Sequence, residues 1–222
     1  MRHGCLLVWI SVCLCVMNPA FAQTKLRFTI SPAAKYLPQQ IAKAELAITQ
    51  AGFTSEIVEL PARQALSYVL KGQFDGSLMR HPEAQPVKSE LVQVPDPIDQ
   101  IDYWMATRSG RTCPKNKTEL WANWRPISVR GILIFEAIFK PSQLPAIEVE
   151  TVRDAFASLL TNKGDFIALP KTFELESLKH LDNALQFCFS EAIYSSPLYI
   201  YLHPRHREIA VLIAAQLKLI KP

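Results

Sequence analysis

The stretch Pro61–Arg80, PARQALSYVLKGQFDGSLMR, decides how this chain is read, because ninety residues later it returns without a gap as Arg153–Pro170, RDAFASLLTNKGDFIALP. Arg63 falls on Arg153, Ala65 on Ala155, Leu70 on Leu160 and Asp75 on Asp165. The pairs Leu66/Phe156, Val69/Leu159 and Met79/Leu169 stay apolar. Each copy has apolar positions at helical spacing, then a turn marked by glycine, then an apolar run short enough for a buried strand. A helix-to-strand unit used twice predicts two similarly built α/β lobes with a cleft between them.

Upstream of the first copy, Leu26–Ile30 reads as a strand. From Leu37, one face carries Leu37, Ile41, Ala44, Ile48 and Ala51 as a helix that Gly52 ends. Phe53–Leu60 is a second strand, and Pro61 opens the next helix. Asp75–Met79 is the third strand, ending at Arg80. The order β-α-β-α-β demands a parallel sheet with right-handed crossovers. Downstream, Ile101–Thr107 is strand-like, Thr118–Trp124 a short helix and Ile127–Val129 a strand, with Gly131 turning into a helix that Pro141 closes. Thr151 with Asp154 forms a capping box ahead of the second copy. The tail Arg205–Ile220 is a last helix with Ile209, Leu212, Ile213 and Ile220 on its apolar face.

Met1–Ala22 has a basic start at Arg2, an apolar run and the closing triplet Ala20-Phe21-Ala22. It reads as a secretory leader that is removed. No later segment approaches the roughly 20 apolar residues of a membrane span, so the mature chain is expected in a periplasm. The full chain carries 24 Lys+Arg against 20 Asp+Glu, and losing Arg2 hardly changes that balance. Together with the lack of a basic stripe interleaved with aromatics, this excludes a nucleic-acid binder. Cys5, Cys13 and Cys15 leave with the leader, and Cys113 and Cys188 remain as a disulfide pair or as two buried thiols.

Four segments resemble a known family: Leu60-Pro61-Ala62-Arg63, Gly72-x-x-Asp75-Gly76-x-x-x-Arg80, Val92-x-Val94-Pro95-x-Pro97-Ile98, and Pro197-Leu198-Tyr199-x-Tyr201-Leu202-His203. In order and spacing they resemble the periplasmic solute-binding proteins that serve amino-acid uptake, and their short relatives without a transporter. The resemblance implies a two-lobed type II periplasmic-binding-protein-like α/β fold, with two mixed sheets flanked by helices and two hinge crossings. On that mapping the first lobe is 23–107 completed by 191–222, and the second is 108–190. The resemblance further implies a monomer that captures a small ligand by hinge closure and is read by a membrane permease or a sensor protein.

Ligands of parallel sheets sit beyond the carboxyl ends of the strands, where Arg80 and Pro170 stand. Arg80 either holds an anionic ligand or is a solvated strand-end arginine. Arg63 lies in the first turn of its helix, where the dipole disfavours a cation unless an anion is near. It is either a second ligand contact or a salt-bridge partner. Arg130-Gly131 follows a strand and can present backbone N–H groups to an anion, and Tyr103 can stack a ligand or pack. The related amino-acid binders usually place a small hydroxyl residue near Arg130, where this chain has Ile132 and Leu133. They also tend to carry an acidic residue where Pro170 stands, so a small polar ligand, anionic or amino-acid-like, is the expectation and its class stays open.

There is no G-x-S-x-G elbow, no H-E-x-x-H and no glycine-rich phosphate loop, so neither an enzyme nor a cofactor is expected. His180, His203 and His206 are scattered, which argues against a metal site. The remaining enzymatic reading is a dehydratase on the same fold, with Glu174 or Glu176 as acid or base.

Overall fold

The computed structural model describes residues 24–85, 90–170 and 183–220, so the expected leader lies outside the described residues. Strand β1 (Thr24–Ile30) buries Leu26, Phe28 and Ile30 and pairs in parallel with β2 (Phe53–Glu59) on one side and β3 (Gly76–Arg80) on the other. Helix α1 (Pro38–Gln50) crosses between β1 and β2, buries Ala44, Ala47 and Ile48, and ends before Gly52, whose φ of +93° suits only a residue without a Cβ. Helix α2 (Ala62–Leu70) returns the chain to β3, with Pro61 as its N-cap rather than its first residue.

The second copy builds the same unit. Strands β6 (Ile127–Val129) and β7 (Ile147–Val149) pair in parallel, and helix α5 (Val152–Leu160) leads to β8 (Ile167–Pro170). A parallel bridge from Pro126 to Phe166 sets the start of β8 beside β6, so β7-β6-β8 repeats the order β2-β1-β3. The repeated aspartates show why the sequence recurs. Asp75 Oδ2 accepts from the Arg27 amide at 2.7 Å, and its own amide donates to Arg27 O at 2.8 Å. Asp165 does the same with Arg125, at 2.6 and 2.8 Å. Each carboxylate also holds one guanidinium, Arg205 on Asp75 at 2.5 Å and Arg111 on Asp165 at 2.7 Å. The aspartate therefore staples the start of each third strand to the first strand of its unit.

Two long strands join the units. The first half of β10 (Tyr194–Leu202) runs antiparallel to β5 (Asp99–Arg108), and its second half runs antiparallel to β3 and to β4 (Val92–Gln93). The second half of β5 pairs antiparallel with β8 and with β9 (Leu185–Phe187). The two expected mixed sheets thus share β10 and form one curled path, β2-β1-β3-β10-β5-β8, with β6-β7 as a separate pair.

Helix α3 (Lys117–Asn123) and helix α4 (Ile134–Ile138) cover the second unit. Helix α6 (Arg207–Leu219) packs against α1 and brings the chain's end back to the first. Its buried face is Ala210, Ile213, Ala214 and Leu217, whereas Leu212 is 50% exposed. Of the expected face, Ile213 is buried and Ile209 and Ile220 pack against the core, so only Leu212 is corrected, and counting large residues alone overlooked Ala210 and Ala214. The Thr151/Asp154 capping box is present, with both reciprocal bonds at 3.1 Å, an arrangement worth about 1 kcal/mol. Cys113 and Cys188 are joined, their Cα atoms 5.4 Å apart.

Candidate functional site

The carboxyl ends of β3 and β8 face the same cavity of about 110 Å³. The first unit contributes Ala34, Leu37 and Arg80, the second Val129, Leu133 and Phe156, and the crossing strands Tyr103 and Leu198. At the end of β3 the backbone departs from a regular strand. Met79 has φ of +61°, a left-handed conformation costly for a residue with a side chain. The pairing with β10 shifts register there, so that Tyr199 faces Arg80 but Tyr201 faces Ser77. In a regular strand neighbouring side chains alternate faces. Here Leu78, Met79 and Arg80 all line the cavity, which is what a bulge accomplishes when it re-aims a side chain.

Arg80 is only 6% exposed. Its Nη1 donates to Ala62 O at 3.3 Å and its Nη2 to Ala84 O at 3.2 Å, while Nε has no partner among the described residues. Burial pulls the guanidinium below its ordinary range, opposed by Tyr201. Among the described residues no carboxylate lies in ion-pair contact with it. A buried cation held by neutral carbonyls alone is a costly arrangement unless an anion joins it.

Beside Arg80, His81 sits at the junction of the two crossing strands and is also 6% exposed. Its Nδ1 lies 3.1 Å from Ser196 Oγ and 3.1 Å from Pro197 O, and its Nε2 is 2.9 Å from the Tyr103 hydroxyl. A carbonyl only accepts, so Nδ1 carries the proton and donates to Pro197 O, while Nε2 accepts from Tyr103. Burial drives this imidazole down to about 4, against the opposing pull of Glu83 and the Pro197 carbonyl. Glu83 accepts from Ser196 Oγ at 2.7 Å and from Tyr194 Oη at 3.1 Å. The 3-10 turn Pro82–Ala84 is thereby tied to β10, and His81 just ahead of it is tied to β5 through Tyr103. Burial, then Glu83 and Tyr194, pushes the Tyr103 phenol up, so its proton stays on oxygen and faces His81.

The other expected contacts are placed as follows. Tyr103 and Gly131 line the cavity. Gly131 has φ of +83°, the turn by which the chain leaves β6 for α4. Arg63 lies outside the cavity, 79% exposed, and its Nη2 is 2.9 Å from Glu136 Oε1 on α4, an ion pair from the first unit to the second. Arg130 also lies outside, with its Nε 2.6 Å from Glu148 and its Nη1 on Glu150. Glu174, Glu176 and His180 fall outside the described residues. His206 and Arg205 share Asp75, and among the described residues no group of side chains could hold a metal ion. His81, Glu83 and Ser196 were not singled out by sequence, although His81 adjoins Arg80 and both Pro82 and Pro197 mark bends beside the network.

No protein-family model matches this chain, and neither does any curated protein sequence. Solved structures do. An arginine-bound ArgBP variant from T. maritima superposes with a TM-score of 0.68 at 14% identity, covering 89% of this chain and 96% of that one. The GluR0 ligand-binding core from Nostoc punctiforme, in complex with L-glutamate, gives 0.65 at 13% identity over 87% and 93%. The BvgS VFT2 domain of Bordetella pertussis gives 0.70 at 12% identity over 89% and 88%. At these identities the likeness is one of fold. The chain has the two-lobed type II periplasmic-binding-protein fold, with its cavity where the lobes meet. No described helix is long and apolar enough to cross a membrane.

Proposed function

We propose that this chain is an exported, non-catalytic solute-binding protein that closes two lobes over a small anion held by Arg80. The first lobe is 23–107 completed by 191–222, the second is 108–190, and β5 and β10 form the hinge. The observation that carries the reading is the buried guanidinium on the interlobe cavity, engaged among the described residues only by the carbonyls of Ala62 and Ala84. Ligand contacts both lobes only when they are closed, so binding favours the closed form by the free energy of the added contacts. The exposed pair Arg63–Glu136 joins the two lobes and adds to the closed form no more than a surface ion pair does, about 0–1 kcal/mol.

The closed form is then read by a membrane permease or a sensor's periplasmic domain. Export is supported by the leader-like sequence and by the bonded Cys113 and Cys188, since disulfides persist in oxidising compartments. The test is a thermal-shift panel of small carboxylates, amino acids and amines on the wild type and on Arg80→Gln. An anionic ligand should raise the melting temperature of the wild type alone. A wild type indifferent to the whole panel, or an equal response in Arg80→Gln, would overturn the reading.

A further inference from the structure

We infer that the ligand is a monocarboxylate with a compact apolar body and no ammonium group. This rests on the binding function proposed above and names its ligand class. The walls of the cavity are the first ground. Opposite Arg80 they are built by Val129, Ile132, Leu133, Ile134, Phe156 and Ala168, and the first lobe adds Ala34, Leu37 and Leu78. Arg80 is the one lining cation among the described residues, and no described lining residue is acidic.

None of the polar side chains that remain supplies a negative charge. The Tyr103 hydroxyl donates to His81, His81 donates to Pro197 O, and Ser31 Oγ accepts from Ala33 N. An amine buried there would meet no counter-charge, whereas a carboxylate meets one. A second negative charge would likewise have no described partner. The size of the body follows from volume. A dry apolar cavity of about 150 Å³ accepts a benzene ring, so 110 Å³ leaves room for a body of about four carbons. Short branched aliphatic acids meet these limits, and aromatic rings and long acyl chains do not.

The experiment is titration calorimetry of the purified protein with sodium 3-methylbutanoate and with L-valine, which share a carbon skeleton and differ by the ammonium group. Octanoate, L-arginine and L-glutamate complete the set. The result expected is 3-methylbutanoate binding at least tenfold tighter than L-valine and than octanoate, with that binding lost in Arg80→Gln. L-valine binding as tightly as 3-methylbutanoate, or either of the two polar amino acids binding tighter, would overturn the ligand class and leave the binding function standing. Tighter binding of octanoate would overturn the compact body. Silence across the whole set, together with a thermal-shift panel that finds nothing, would overturn the ligand class and the binding function together.

Discussion

Replacing His81 with glutamine should remove a specific part of this protein's sensitivity to mild acid. The imidazole titrates near 6.5 in an unfolded chain and near 4 when folded, because burial at the strand junction disfavours its charged form. Between those values the unfolded chain binds a proton that the folded chain does not, so stability rises with pH across the window and is lost as pH falls through it. Going from pH 7 to pH 5 should therefore cost the folded state roughly 2 kcal/mol through this one group. Glutamine is neutral throughout. Its amide can donate to Pro197 O and its carbonyl can accept from Tyr103, so much of the junction is kept. The groups facing His81, namely Glu83 and Arg80, are the same in both proteins, and so is His203, whose imidazole is also lowered by burial and by Arg205. The carboxyl of Asp75 is lowered as well, since the bonds from Arg27, Arg205 and His206 outweigh burial, and its contribution is lost below the window. Urea unfolding at pH 7 and pH 5 reads the effect: the wild type should lose about 2 kcal/mol more than His81→Gln. Equal losses in the two proteins would refute a neutral, buried His81.

Replacing both Cys113 and Cys188 with serine opens a link spanning 75 residues, and chain entropy sets the loss at about 4 kcal/mol; unaltered urea unfolding, or a wild-type mass showing two free thiols, would contradict the bond. Gly76→Ala should destabilise by about 1–3 kcal/mol, because an added Cβ would lie 2.6 Å from Tyr201 O and 2.8 Å from the Phe28 ring. A neutral Gly76→Ala variant in thermal or urea unfolding would show that β3 and β10 are less closely apposed.

The repeat was legible because it is written in residues that act locally. Helices α2 and α5 occupy Ala62–Leu70 and Val152–Leu160, the same length at the ninety-residue interval seen in the sequence. Strands β4, β7 and β9 were not legible. They are two or three residues long, and although β6 is equally short and legible at Ile127–Val129, their pairing comes from neighbours distant in the chain. That Arg80 borders the cavity could be read because it ends an apolar strand, and parallel sheets open their crevices at such ends. The junction around His81 could not, since its partners Ser196 and Pro197 are 115 and 116 residues away in sequence. Remoteness also hid Glu136, 73 residues from the exposed Arg63, whereas Glu148 and Glu150, 18 and 20 residues from Arg130, are brought to it by the unforeseen pairing of β6 with β7.

Hinge closure over an anion is tested most directly by solution X-ray scattering of the wild type and of Arg80→Gln, with and without saturating 3-methylbutanoate. The account predicts that the ligand shrinks the radius of gyration of the wild type and leaves that of Arg80→Gln unchanged. A radius that stays constant in the wild type while calorimetry shows the ligand bound would contradict it.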